Sequence, residues 1–117
     1  MSDIVVFHEE EKLKEGTKYD SGKDRWDLLP YEAIEEVVKV YTGGAQKYDD
    51  WNWAKGIKYS RVFAAAMRHM MAFWWRRKKT NEEDFGLHHL AHVIWCCLTL
   101  LYYDKHPDIY SQFDDRR

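Results

Sequence analysis

The chain has 117 residues, enough for one hydrophobic core and too few for two. With 45% apolar and 32% charged residues it reads as globular rather than disordered, and a net charge of −2 argues against a general nucleic-acid binder, which carries a basic surplus. Aromatic residues make up 16%, an excess that points to an oligomer burying aromatic surface or to a pocket that stacks flat ligands.

The N-terminus, "MSDIVVFHEEEKLKEG", has a short apolar run followed by acids and does not read as a signal peptide. Residues 4–7, "IVVF", are expected to form a short strand or extended arm within an N-terminal segment 1–18. The polar stretch "KEGTKYDSGKDRWDLLP" is punctuated by Gly16, Gly22 and Pro30, and predicts an ordered loop that turns into a helix at Pro30.

The first helix is expected from Tyr31 to Thr42, with Gln46 as its outer limit. Ala33, Ile34, Val37, Val38, Val40 and Tyr41 fill one side, and Glu32, Glu35, Glu36 and Lys39 fill a narrow opposite arc. Gly43-Gly44 should weaken or end it. The stretch "GGAQKYDDWNWAKG" then reads as a loop, where the glycines allow a sharp turn and close approach to a ligand. Trp51 and Trp53 would point to opposite sides if the segment is extended.

The second helix should start near Ser60 as N-cap and run through "RVFAAAMRHMMAFWWRRKK", with Ala64, Ala65, Ala66 and Ala72 making a thin surface for a neighbouring helix. The basic run Arg76-Arg77-Lys78-Lys79 at its end suits the helix dipole. "TNEEDFG" is the break. The third helix, "LHHLAHVIWCCLTLLYYDK", is apolar nearly all round, as expected of a helix central in a bundle or buried between subunits. Adjacent Cys96 and Cys97 point about 100° apart on a helix, predicting two buried thiols without a bridge. The apolar run from Val93 to Tyr103 is only about half a membrane span, so no membrane partner and a cytoplasmic location are expected. The tail 105–117 reads as a loosely packed arm. The fold class is therefore all-α: a three-helix-core protomer over residues 19–104. Three such helices cannot hide six Trp and eight Tyr, so a homo-oligomer is expected.

Several residues have the chemistry of a site. Glu32 and Glu35, with Glu36 beside them, are carboxylates close enough on one helix to share a hard divalent cation; a solvated acidic face is the commoner meaning of that pattern. His88, His89 and His92 crowd the start of the third helix, and His69 follows Arg68 on the second. Such histidines grip phosphate when protonated, bind a transition metal, or simply hydrogen-bond a neighbouring carbonyl; polar contacts are favoured over zinc. Lys47, Asn52, Lys55 and Lys58 are phosphate donors, Arg25 a bidentate one, and Tyr48, Trp51 and Trp53 offer ring faces to a base. The same composition suits an aromatic subunit interface.

The blocks Gly22-Lys23, Arg25, Asp27-Leu28 and Pro30, then Gly44-Ala45, Lys47-Tyr48, Asn52-Trp53 and Gly56, then Arg68-His69, then Gly86, His89-Leu90 and His92 occur in one order between residues 19 and 103. In this the chain resembles the phage and bacterial family named for the N-terminal domain of dATP/dGTP diphosphohydrolase, itself similar to the MazG-like, all-α NTP pyrophosphohydrolases. The resemblance implies hydrolysis of a purine (d)NTP to (d)NMP and pyrophosphate, with Mg²⁺ or Mn²⁺ held by acids on two helices. Glu32 and Glu35 (or Glu36) would supply the first pair, Glu35 and Glu36 being the catalytic candidates. The second pair departs from the pattern: only Glu82, Glu83 and Asp84 stand near, before the third helix, and Asp84 or Glu82 would join Glu35 and Glu36 at the metal. Arg25, Lys47, Tyr48, Trp51, Asn52, Trp53, Arg68, His69, His89 and His92 would line the nucleotide. A second expectation is a non-catalytic sponge that sequesters a nucleotide-derived host immune signal.

Overall fold

A computed structural model describes residues 12–117, so the strand or arm expected at residues 4–7 lies outside the described residues. Residues 12–25 have no regular structure apart from a turn, and a single 3₁₀ turn, Trp26–Leu28, leads into the first helix. Four helices follow: α1 (Tyr31–Lys47), α2 (Tyr59–Trp74), α3 (His89–Lys105) and the one-turn α4 (Pro107–Tyr110). Between α2 and α3 the chain makes a two-stranded antiparallel hairpin, β1 (Thr80–Asn81) with β2 (Leu87–His88), in which Thr80 faces His88. The class is all-α with this small hairpin added.

The central position expected of the third helix is observed, since α3 packs against both α2 and α1. Its buried stripe, however, is the polar one. His89, His92, Cys96, Thr99 and Tyr103 recur at intervals of three and four and face inward, while Ile94, Leu98 and Leu101 remain exposed. Two clusters make up the core: Tyr59, Val62, Cys96, Tyr103 and Tyr110 at one end, and Val37, Val40 and Ala91 at the other. Of the two cysteines, Cys96 is buried as expected, but Cys97 is exposed; both are free.

Gly43-Gly44 does not end α1. The helix runs through both glycines to Lys47, and Tyr48 closes it by donating its N–H to Gly44 O at 2.9 Å. Helix propensity is a weak bias that packing overrides. Here Gly43 is buried against the Phe85 ring, which would lie 2.7 Å from a Cβ at this position. The helix continues because the missing side chain makes room for its neighbour.

Three further boundaries differ from expectation. The α2 N-cap is Lys58, and Ser60 sits inside the first turn, where its N–H and hydroxyl both donate to the Asp115 carboxylate. α2 stops at Trp74, because Arg77 adopts φ +58° and Lys78 N–H turns back to Ala72 O; the basic run lies past the helix. The third helix begins at His89 rather than Leu87, with His88 as N-cap accepting from Leu90 N–H at 3.0 Å.

The tail is not a loose arm. Pro107 starts α4, Tyr110 is buried, and its hydroxyl donates to Ala54 O at 2.6 Å. Arg116 lies over the Tyr59 ring and pairs with Asp114 at 2.7 Å. Asp115 supplies the cap that α2 lacks locally, satisfying donors the helix cannot pair by itself.

Two substitutions test this clasp by urea denaturation. Asp115→Ala removes the cap and is expected to cost about 1 kcal/mol. Gly56→Ala places a Cβ at φ +103° and into the Phe113 ring, so a larger loss of about 1–3 kcal/mol is expected. Unchanged midpoints for both would show that the tail does not hold the fold.

Candidate functional site

A cleft of about 1160 Å³ opens between α1, the 48–57 loop and α2. The loop is not extended. Trp51 takes a left-handed conformation at φ +63°, and Asn52–Lys55 wind into a 3₁₀ turn. This geometry still divides the two tryptophans. Trp51 is 70% exposed, whereas Trp53 packs edge-on to Tyr102 at 5.1 Å and to Tyr41 at 6.0 Å, and the two indoles lie 6.0 Å apart. Backbone strain at a bulky residue such as Trp51 persists only where the surroundings fix it. Here they do, because Tyr103 donates to Trp53 O and Tyr110 to Ala54 O. Burial pushes the Tyr103 phenol up to about 12, so it remains a donor.

The opposite wall is α2. Arg61, Ala64, Ala65 and Arg68 line it, the two arginines seven residues apart on one face. Tyr41 and Trp95 close the base. Asp49 and Asp50 stand at the rim, Asp49 held by Lys55 at 3.4 Å. The cleft thus offers flat rings, two guanidinium groups and the Asn52 amide.

A smaller pocket of about 300 Å³ adjoins it and shares Gly44, Tyr48, Ala65, Arg68 and Trp95 with the cleft. Lys47, His69, Asp84 and His92 also line it. His69 Nδ1 lies 2.9 Å from His89 Nδ1, so only one of these atoms carries the shared proton. His69 also stacks on His92, with centroids 4.4 Å apart and planes 8° from parallel. Burial first, then repulsion from His92 and His89, holds His69 down at about 4. Burial likewise lowers His89 and His92. His92 Nε2 is buried and has no hydrogen-bond partner among the described residues.

Most of the residues expected to bind ligand come together. Tyr48, Trp51, Asn52, Trp53 and Arg68 line the cleft, and Lys47, His69 and His92 the inner pocket. His89 stands behind His69 and lines neither. Arg25 is elsewhere, held by Asp27 through two bonds of 2.8 and 2.7 Å on the exposed entry to α1. Arg61, Tyr41 and Trp95 were not foreseen. Arg61 was the most findable, one heptad before Arg68 on the same helix face.

The carboxylates behave differently. Glu36 accepts the His88 N–H at 2.9 Å and so ties α1 to the start of α3. Asp84 pairs with Lys47 at 3.5 Å and accepts from the Asn81 amide at 3.0 Å. Glu32 and Glu35 are exposed on α1. Among the described residues, no three His, Cys, Asp or Glu side chains converge as a metal-holding group. The described acids therefore do not by themselves fit the divalent cation that the resemblance implies.

Residues 13–116 match the protein family described as dATP/dGTP diphosphohydrolase, N-terminal. The chain is 36% identical over 78 residues to a protein of Salmonella phage PMBT28 named dATP/dGTP diphosphohydrolase. That match covers 67% of this chain and 26% of the phage protein, so the chain spans about a quarter of its relative's length. No solved structure matches. The chain belongs to the dATP/dGTP diphosphohydrolase N-terminal family. Among the described residues, no helix is long and apolar enough to cross a membrane.

The histidine cluster has a consequence for stability. All three folded values lie below the ordinary imidazole value, so folding favours the neutral rings. That contribution is fully present above about pH 6.5 and is lost as pH falls toward 4. The urea midpoint should drop across this window, and His69→Asn should flatten the drop. Equal pH slopes for parent and variant would count against the cluster.

Proposed function

We propose that this member of the family binds a purine (deoxy)nucleotide in the cleft between α1, the 48–57 loop and α2, acting in the cytoplasm. We further propose that it belongs to a hydrolase converting (d)NTP to (d)NMP and pyrophosphate. The observation that carries the binding half is the convergence of Trp51, Trp53, Asn52, Arg61 and Arg68 on one cleft. An exposed indole stacks on a base, an amide reads its edge, and guanidinium groups hold phosphate. The printed name of the phage relative supports a nucleotide as the ligand and hydrolysis as the reaction.

The hydrolytic half calls for Mg²⁺ or Mn²⁺. Because the described acids do not converge, no catalytic step is assigned to Glu35, Glu36 or Asp84. Their separation favours a second reading, in which the cleft captures a nucleotide-derived signal without turning it over, as an anti-defence sponge would. Assembly into a homo-oligomer is part of the proposal. Phe63, Met67, Met70 and Trp74 form an exposed stripe along α2, and Ile94, Leu98 and Leu101 another along α3.

The chain should be incubated with a purine dNTP panel and Mg²⁺ or Mn²⁺ and followed by mass spectrometry. Release of pyrophosphate supports the hydrolase, whereas stoichiometric retention without turnover supports the sponge. Trp51→Ala should weaken nucleotide binding about ten- to a hundredfold, as loss of base stacking does. Arg68→Ala should weaken it at least as much. Sedimentation of each variant separates a lost site from a lost assembly: affinity must fall while the oligomer remains.

A further inference from the structure

We infer that the inner pocket is a phosphate subsite, in which the phosphate chain of the bound nucleotide passes Gly44 and Arg68 and ends on His92 Nε2 and Lys47. The inference rests on the cleft reading for the nucleotide's other end. Three independent features support it. The two cavities adjoin, sharing five lining residues, with Arg68 common to both. Gly44 is helical and carries no side chain where they meet, and a Cβ there would contact nothing, which leaves the passage open.

The third feature is His92 itself. It is 8% exposed, it lines the pocket, and its Nε2 has no partner among the described residues. A buried imidazole nitrogen without a partner forfeits a hydrogen bond that a phosphate oxygen restores. The pocket wall carries two cations, Lys47 and Arg68, against the single carboxylate of Asp84, whose charge Lys47 already offsets.

Proton uptake should accompany binding. In the free protein His69 is neutral at pH 7, held so by burial and by its histidine neighbours. An entering phosphate reverses that balance, because an anion beside an imidazole favours the protonated ring. The other charged groups acting on the cluster come from several elements. They are Arg68 of α2, Arg76 and Lys78 beyond it, Lys47 and Glu36 of α1, and Asp84 of the hairpin. His88, which caps α3, and His89 complete the cluster. The Cys96 thiol also lines the pocket and, pushed up to about 11 by burial, stays protonated. The nucleotide's own phosphate sheds protons on entering a cationic pocket, so net uptake identifies the histidines.

Calorimetry with metal removed tests this, using dATP, deoxyadenosine and pyrophosphate as probes at pH 6 in buffers of different ionisation heat. The expected result is dATP binding at least about tenfold tighter than deoxyadenosine, with proton uptake for dATP alone of the two. His69→Asn should abolish the uptake. His92→Asn should weaken dATP about tenfold and leave deoxyadenosine unchanged. Lys47→Gln, at an exposed position, should weaken dATP alone and serves if the histidine variants fail to fold. Equal affinity for dATP and deoxyadenosine without proton uptake overturns the subsite and leaves the cleft reading standing. Pyrophosphate binding with uptake, and none by deoxyadenosine, supports the subsite while overturning the cleft reading. Failure of all three probes to bind overturns both.

Discussion

The grip of two buried tyrosines on one short loop underlies the cleft. Tyr103, fully buried in α3, and Tyr110, in the one-turn α4, donate their hydroxyls to the carbonyls of Trp53 and Ala54. The phenol rings stack on one another at 4.4 Å and Tyr103 stacks again on Tyr59, so the donors are held rigidly. Without those hydroxyls Trp53 O would keep only the 3.3 Å bond from the Gly56 N–H, and Ala54 O would lose its side-chain donor, at a cost of about 1–3 kcal/mol where buried. Because the 52–55 turn is pinned, Trp51 can keep a left-handed backbone and present its indole outward. The tail, α4 and the end of α3 thus shape a wall to which they contribute almost no lining atoms.

The second constraint is at the other end of α3. Three histidine rings in contact, two of them buried, are stable only because none is charged. Glu36 and Asp84 bear on this cluster electrostatically, but each is also engaged across segments, Glu36 by the His88 N–H and Asp84 by Lys47 of α1. Acids that look available for a cation along the sequence are thereby committed to the architecture. Beside the two cavities, His92 Nε2 and the Arg61 and Arg68 guanidinium groups are left without a hydrogen-bond partner among the described residues, which is chemistry for an anion.

The fold leaves much apolar surface uncovered. Trp26, Trp51, Trp74 and Trp75 are all more than two-thirds exposed, and α2 and α3 each carry an apolar stripe outward. A helix apolar on every side has more hydrophobic surface than two neighbours can cover. In α3 the inward face went to the residues able to hydrogen-bond or stack, and the aliphatic face was left outside.

Composition and periodicity by themselves determined the all-α class, the three long helices and the break between the second and third. Those follow from local patterns, since a helix of sixteen or seventeen residues declares its apolar face in its own sequence. The run of aromatic, amide and basic residues from Lys47 to Trp53 likewise identified the loop that lines the cleft, because that chemistry is carried by residue type. Everything that depends on a distant partner was decided in three dimensions. The passage of α1 through Gly43-Gly44 depends on Phe85, the start of α2 on Asp115, and the fate of Glu36 on the His88 N–H. Arg25 carried the right chemistry and was claimed by Asp27 two residues away, whereas Arg61, one heptad before Arg68, joined the cleft only because α2 sets that face against the 48–57 loop. Side-chain chemistry is written residue by residue, but which group stays free to meet a ligand depends on what the fold brings against it.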